Sequence, residues 1–465
     1  MVALAIDRSV LAGLAAQIPG GSVVVTGTNG KGTTCRMLTV MMRAAGMRPI
    51  LNREGSNQPS GLATTLLAEA RLTGRLAAGE RAAAVLEVDE GSLPEILPQV
   101  SRPAAGTTLI VTNLFRDQMD RYLELEAITG RWERALAGLP ADATLVLNAD
   151  DPRLAYLAPD LPNPRVYYGL DDAECSREAD VTSDFPRCPR CGGELRYGRI
   201  FSAHLGHWEC RDCGLARPQP QVRARKVDLL GPGLTRLQVT TPATESVLEI
   251  PLPGLYNAYN AIAAVAGGIA CQLPDSAIAS VQNATTGFFR MEHVRVDGRD
   301  VWLALAKNPN GYTEVLRAVL GDGQPRHLLL GLNDRPGNQQ PDISWIWDID
   351  FESLRGLVPA AVLCGNRCGD LAVRLKYAGW LAGGAAASPA SPASPASPAS
   401  PASPASPAGR ATDIAIEPDP VAALRLALDR TPASEPLWVV STYLVLWQLR
   451  GWLRRRGYVG PLWER

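Results

Sequence analysis

The segment Gly27-Thr-Asn-Gly-Lys-Gly-Thr-Thr34 places three glycines, one lysine and a pair of adjacent hydroxyl side chains in one short run. Glycines let a backbone approach a phosphate closely, and successive amides at a helix start form an anion nest. Lys31 adds a full positive charge for terminal phosphates, and Thr33 or Thr34 offers a hydroxyl to Mg²⁺. Gly27, Thr28, Asn29, Gly30, Lys31, Gly32, Thr33 and Thr34 are therefore the expected phosphate-binding residues. Only four of the 46 basic residues are lysines (Lys31, Lys226, Lys307 and Lys376), so a lysine in such a turn carries information. The pattern is not the general P-loop, because Val25 stands where its first glycine would fall and Gly32 follows the lysine. The plain alternative is a structural glycine turn.

Carboxylates follow. Glu87, in Leu86-Glu-Val-Asp-Glu90, ends an apolar run, the position at which an α/β nucleotide enzyme needs a magnesium ligand. Asp89 and Glu90 are second candidates. The polar run Thr112-Asn-Leu-Phe-Arg-Asp-Gln-Met-Asp-Arg-Tyr122 ends another apolar segment and would complete one side of the same cleft, or simply cap the next helix. Cys188-Pro-Arg-Cys191 and Cys210-Arg-Asp-Cys213 are two CxxC knuckles separated by 18 residues. Four thiolates at that spacing make a closed tetrahedral Zn²⁺ site with no open position for a catalytic water. His204 and His207, between the pairs, are not needed as ligands.

These residues need a scaffold. Gly21 to Val25 reads as a buried strand, followed by the glycine turn and an amphipathic helix from Cys35 to Ala45. Ala82 to Val88, Thr108 to Thr112 and Thr144 to Leu147 read as further buried strands, with helices such as Leu123 to Leu139 between them. The alternation predicts a parallel, doubly wound α/β sheet with ligands beyond the carboxyl ends of its strands. A cysteine-rich insert occupies about 187–218. Strand-like alternation resumes over Val222 to Ile250, and Pro251 to Gln272 reads as a turn and a small-residue helix. A second α/β pattern starts near Val294, with strands at Val301 to Leu305, Leu328 to Leu332, Ala361 to Leu363 and Leu437 to Val440. The expected domains are 1–288 and 289–465. Seven Ser-Pro-Ala triplets from Ser388 to Ala408 bury too little to build a core and read as a disordered surface insertion of the second domain.

Composition bounds the function. With 465 residues the chain is too long for one ordinary core. The net charge of −1 disfavours a general electrostatic grip on nucleic acid or anionic lipid. The N-terminal stretch lacks the features of a signal peptide, and no apolar run is long enough to span a membrane. Nine cysteines in such a chain argue for reduced thiols or metal ligands, and a cytoplasmic protein is expected.

Together these motifs resemble the Mur ligase superfamily and, within it, the MurT family. The resemblance covers nearly the whole chain. It rests on Thr26-Gly-Thr-Asn-Gly-Lys31, Leu86-Glu-Val-Asp-Glu90, Asn113-Leu-Phe-Arg-Asp-Gln118 with Asp120-Arg-Tyr122, Asn148-Ala-Asp-Asp-Pro152, the four-cysteine insert, Leu252-Pro-Gly-Leu-Tyr-Asn-Ala-Tyr-Asn260, Lys307-Asn-Pro-Asn-Gly311, Leu332-Asn-Asp334 and Asp342-Ile-Ser-Trp-Ile-Trp-Asp348. It implies a Mur ligase-like central ATPase domain with a zinc-ribbon insertion, followed by a Rossmann-like C-terminal domain. The implied activity is ATP-dependent amidation of the D-glutamate α-carboxyl of the lipid II stem peptide through an acyl phosphate. Ammonia would come from a GatD-type glutamine amidotransferase subunit, and lipid II would place the reaction at the inner face of the plasma membrane. By the same resemblance Thr33 and Glu87 lie near Mg²⁺, Asn257 and Asn260 near the adenine, and Asp334 grips the ribose. Asp348 or Asp342 would complete the amidotransferase's catalytic centre.

Some positions depart from the superfamily's pattern. Gly32 replaces a hydroxyl residue, as in folylpolyglutamate synthases, which makes a folylpolyglutamate synthase-like amino-acid ligase the alternative reading. Gln118 replaces a metal-binding histidine, no lysine lies between Lys31 and Lys226, and Phe288-Phe-Arg-Met-Glu292 alters the expected interdomain hinge.

Overall fold

The computed structural model describes the chain except residues 1–5, 53–55, 78, 80, 102–105, 116–124, 177–186, 232, 285–289, 335–342, 382–410 and 461–465. Asp342, Gln118, the Asp120–Tyr122 run, Phe288 with Phe289, and the Ser-Pro-Ala repeat lie outside the described residues. Two compact units are formed, Met1–Gly287 and Phe288–Arg465.

The first unit contains β1 (Ser22–Thr26), β2 (Arg48–Leu51), β3 (Ala82–Glu87), β4 (Thr107–Val111), β5 (Thr144–Asn148), β6 (Arg165–Leu170), a hairpin of β7 (Leu195–Ser202) and β8 (Leu205–Cys210), and β9 (Val222–Leu229), β10 (Thr235–Thr240) and β11 (Glu245–Ile250). Among the described residues, nine of these strands form one sheet in the order β11-β10-β9-β6-β5-β4-β1-β3-β2. Strands β2 to β6 and β1 pair in parallel, and β9 joins β6 in parallel. The ladder turns antiparallel at β9–β10 and β10–β11.

The apolar runs dictate this arrangement. Every residue of β1 and β4 is buried, so both faces of the sheet need a cover. On one face Val23, Val25 and Ile110 pack against helix α1 (Lys31–Ala44) and helix α3 (Leu255–Ala270). On the other, Val24, Leu86 and Leu109 pack against helices that include α2 (Leu125–Leu136). Helix α3 is almost wholly buried, and small residues make that possible: a Cβ on Gly267 would overlap the side chain of Ile110.

The second unit has a six-stranded sheet among the described residues. Its strands are β12 (Arg290–Val296), β13 (Arg299–Leu305), β14 (His327–Gly331), β15 (Ala360–Cys364), β16 (Asp413–Ile416) and β17 (Leu437–Ser441). Their order is β12-β13-β17-β14-β15-β16, parallel throughout except for the β12–β13 hairpin. Helices α4 (Pro309–Leu320), α5 (Cys368–Tyr377), α6 (Pro420–Arg430) and α7 (Tyr443–Arg455) accompany it.

The predicted strands are all present. Helix α1 begins at Lys31 rather than Cys35, so the lysine and the residues after it form the first helical turn. Six strands escape the sequence pattern: β2, β6, β12 and β16 in the two sheets, and the β7–β8 hairpin inside the insert. β2, β12 and β16 are the short or terminal members of their sheets, where one-sided pairing needs no continuous apolar run. β6 lies inside the sheet, but its first three residues are only half-buried.

Candidate active site

The turn after β1 is shaped by two glycines with left-handed backbone, Gly27 at φ 126° and Gly30 at φ 87°. Both are required by sterics as well as by φ. A Cβ on Gly27 would stand 2.7 Å from the Asn113 carbonyl oxygen and overlap Thr112 Oγ1. A Cβ on Gly30 would overlap Asn260 Oδ1. The turn is bolted to the residues after β4: Thr28 N donates to Asn113 O at 2.9 Å and Asn29 N to Asn113 Oδ1 at 2.9 Å. Thr112 Oγ1 donates to Asn29 O at 2.7 Å, and Phe115 N to Thr28 Oγ1 at 2.9 Å. Residues 112–115 of the polar run after β4 thus fix the turn.

The first intrahelical bond of α1 runs from Thr34 N to Gly30 O at 2.9 Å. The amides of Lys31, Gly32 and Thr33 precede it and sit at the positive end of a 14-residue helix. Lys31 Nζ folds back to the carbonyl oxygens of Gly27 and Thr28 and forms a 2.8 Å ion pair with Glu90 Oε2. Of the two acidic residues after Glu87, Glu90 is therefore the lysine's partner. Asp89 accepts from Gly91 N at 3.3 Å.

Glu87 stands opposite Val25 across the β1–β3 ladder. Its backbone is clamped by Asn52, which accepts from Glu87 N at 2.8 Å and donates to Glu87 O at 2.9 Å. Asn57 Nδ2 lies 3.5 Å from Glu87 Oε1. A Cβ on Gly32 would stand 2.8 Å from Glu87 Oε2, so the carboxylate reaches the first turn of α1. Thr34 is fully buried, whereas Thr33 keeps a little exposure. Both hydroxyls stand in the first turn of α1, directly after Gly32, whose place the Glu87 carboxylate approaches. Amides, a lysine, a carboxylate and a hydroxyl form a donor set suited to a magnesium-bound polyphosphate.

Asn257 and Asn260 lie on one face of α3. Asn260 Nδ2 donates to Asn257 Oδ1 at 3.1 Å, and Asn257 Nδ2 to Pro253 O at 2.8 Å. Asn260 stands against the phosphate turn itself. The Asn148–Pro152 motif forms a buried hub. Asp150 accepts from Tyr259 OH of α3 at 2.7 Å, from Leu170 N at 2.8 Å and from Arg217 Nε at 2.6 Å. Burial raises its carboxyl above the usual range, against the opposing Arg217 charge. Asp151 caps the short helix Pro152–Ala155 and accepts from Leu114 N at 3.2 Å. Sequence reasoning missed Asn52, Asn57, Tyr259 and Arg217, whose roles depend on contacts remote in the chain.

The sulfurs of Cys188, Cys191, Cys210 and Cys213 all lie within 4.8 Å of one another. Amides of Arg190 and Gly193 donate to Cys188 Sγ and Cys191 Sγ at 3.4 Å. Backbone amides, that of Cys213 above all, pull the Cys210 thiol down to about 7. Four converging thiols with amide support form a set that could hold a metal ion, with the chemistry of a closed site.

In the second unit Asp334 follows β14. Its carboxylate is engaged by Asn366 Nδ2 and lies 3.2 Å from Arg367 Nε, while its amide donates to Asn366 Oδ1 at 3.2 Å. Asn308 caps α4 by accepting from Gly311 N at 2.7 Å, which accounts for the Lys307–Gly311 motif as a helix start. Asp348 ends a 3₁₀ turn, Ser344–Asp348, and is exposed beside the exposed Trp347.

Residues 25–187 match the Mur ligase middle domain, and residues 305–394 match the MurT ligase C-terminal domain. The chain is 33% identical to the lipid II isoglutaminyl synthase (glutamine-hydrolyzing) subunit MurT of Streptococcus pneumoniae, covering 82% of each chain. It is 30% identical to the protein of the same name from Staphylococcus aureus, covering 81% of this chain and 82% of that one. In structure it is similar to a pseudomurein peptide ligase type C from Methanothermus fervidus, with TM-score 0.66, 19% identity, and coverage of 95% of this chain and 80% of that one. It is also similar to MurF from Acinetobacter baumannii, with TM-score 0.62, 15% identity, and coverage of 97% and 80%. These two likenesses are likenesses of fold.

Proposed function

Because this chain belongs to the MurT family of the Mur ligases, we propose that it is the ATP-dependent, amide-forming subunit of a lipid II isoglutaminyl synthase. It amidates the D-glutamate α-carboxyl of the lipid II stem peptide through an acyl phosphate, using ammonia from a GatD-type glutamine amidotransferase subunit. Mg-ATP supplies the activated phosphoryl group. What supports the reading is the meeting of Lys31, the amides of Lys31 to Thr33 and the Glu87 carboxylate on one helical turn.

In this reading Lys31 and those amides neutralise the β- and γ-phosphates, and Glu87 with Thr33 holds Mg²⁺. Phosphoryl transfer needs charge compensation and positioning more than covalent help from the protein. The fastening of the turn to Thr112 and Asn113 provides positioning. Asp334 takes the ribose, and Asn257 with Asn260 lines the nucleotide site from α3. Asp348, exposed on its 3₁₀ turn, or Asp342 completes the partner's catalytic centre. Zn²⁺ in the four-cysteine cluster is structural. No described helix is long and apolar enough to cross a membrane. Work at the inner face of the plasma membrane follows from a lipid-borne substrate.

Gly32, the feature shared with folylpolyglutamate synthases, has a local reason in the Glu87 carboxylate that a side chain there would crowd. The test is mass spectrometry of lipid II stem peptide incubated with this protein, a GatD-type partner, glutamine and ATP. The small mass decrease of a carboxyl-to-carboxamide exchange, lost with Lys31→Ala, is expected. Addition of a glutamate residue would overturn the assignment in favour of the alternative ligase.

A further inference from the structure

The cysteine-rich insert does not end at its metal-binding knuckles. Hairpin β7–β8 runs away from them, with Cys210 at the end of β8 and the two-residue tip Ala203-His204 at the other end. At about 3.3 Å per residue, knuckles and tip are roughly 20 Å apart. Hairpin tips belong on the surface, yet His204 is completely buried. Ala203 reaches its place with φ 47°, a left-handed conformation that strains an L-residue. Something holds this tip inside the protein.

What holds it leads to the phosphate turn. His204 Nε2 lies 3.2 Å from Asp151 Oδ2, and both side chains are fully buried. Since a carboxylate only accepts, the ring nitrogen donates. The same carboxylate accepts from Leu114 N at 3.2 Å. The His204 ring packs edge-on against Phe115, with centroids 5.2 Å apart. Leu114 and Phe115 follow Thr112 and Asn113 directly, and Phe115 both donates to and accepts from Thr28 Oγ1. His204 therefore touches Phe115, which bonds Thr28, and Asp151, which bonds the neighbouring Leu114. A second line starts from the insert as well: Gly206 N donates to Asp150 O at 2.9 Å and Arg217 Nε to Asp150 Oδ1 at 2.6 Å. Asp150 in turn accepts from Tyr259, one residue before Asn260, whose side chain abuts Gly30.

We propose that the four-cysteine insert is a strut for the phosphate turn, with His204 as its positioning residue: the metal knot closes the open end of the hairpin, and the buried tip fixes Asp151 and Phe115 behind Thr28. The proposal rests on the nucleotide reading of that turn. Its consequence is that nucleotide affinity depends on a histidine and a metal knot that do not touch the nucleotide.

The test is calorimetric titration of the full chain with Mg-ADP, alongside thermal unfolding and metal content. His204→Phe keeps a ring against Phe115 but loses the donor to a buried carboxylate; its Kd should rise about tenfold with metal content unchanged. His204→Gln restores a donor near the Nε2 position and should recover most of that loss. His207→Ala, on the same hairpin but facing Leu170 O and Asp171, should bind like the native chain. A His204→Phe protein with native Kd, with or without a lower Tm, overturns the strut. So does a His207→Ala protein weakened equally. If His204→Phe does not fold, the native chain stripped of metal by a chelator decides: a Kd raised about tenfold supports the strut, and an unchanged Kd overturns it. Failure of the native chain itself to bind Mg-ADP would instead overturn the nucleotide reading.

Discussion

Lys31 and Glu90 form an ion pair of 2.8 Å whose side chains are 8% and 9% exposed. Removing one partner of so buried a pair leaves a charge without compensation, at a cost of about 3 kcal/mol. Glu90→Gln should therefore lower stability in urea titration by about that amount. Saturating Mg-ATP should shrink the loss, because phosphate replaces the carboxylate as the lysine's counter-charge. An equal loss with and without nucleotide would mean that Lys31 never meets phosphate. Lys31→Ala should weaken Mg-ATP binding by at least about 100-fold, or roughly 2.7 kcal/mol.

Gly32 and Glu87 compete for the same space, since a Cβ would lie 2.8 Å from Oε2. Gly32→Ala should push the carboxylate out of place and raise the magnesium concentration needed for half-maximal nucleotide binding about tenfold. Shortening the acid in the double variant Gly32→Ala, Glu87→Asp should restore part of that loss. A double variant no better than the single one would show that the two residues act separately.

The four-cysteine cluster should bind one Zn²⁺ per chain, measured by plasma emission spectrometry of the purified protein. Cys188→Ser should abolish stoichiometric binding and lower the Tm, because structural metal binding is coupled to folding. Full metal content in that variant would place the ion elsewhere.

Asp348→Asn should leave ammonia-driven amidation intact and lower glutamine-driven amidation by about 100-fold or more, as expected for a group acting in the partner's catalytic centre. Assaying both nitrogen sources with the reconstituted pair separates the steps. Equal loss with ammonia would assign Asp348 to the ligase reaction, and Asp342→Asn tests the other aspartate in the same way.

Asp171 is held below its ordinary carboxylate value of 3.8 by the hydrogen bond from His207 first, and then by the charges of Arg217 and Arg223. A depressed acid contributes stability above its unfolded value and loses it as pH falls through the folded one. That contribution should thus be full well above the ordinary carboxylate value and disappear as pH falls through the folded one. His207→Ala should move the Asp171 transition upward in a carboxyl NMR titration, and an unmoved transition would remove His207 as the cause.

Composition and spacing alone announced the phosphate turn, the four-cysteine cluster, the strand end that carries Glu87 and the alternating α/β order, whereas Asp334 entered only through the family resemblance. Those features are local: glycine conformations, thiol spacing and buried apolar runs are written within a few residues of one another. Only the tertiary structure decided who faces whom. It paired Lys31 with Glu90, set Asn260 against Gly30, placed Glu87 behind Gly32, and drove His204 from the tip of an insert to the back of the turn. Each of those contacts joins positions separated by tens or hundreds of residues, and a side chain's partner across a sheet depends on strand order and register, which no local pattern encodes.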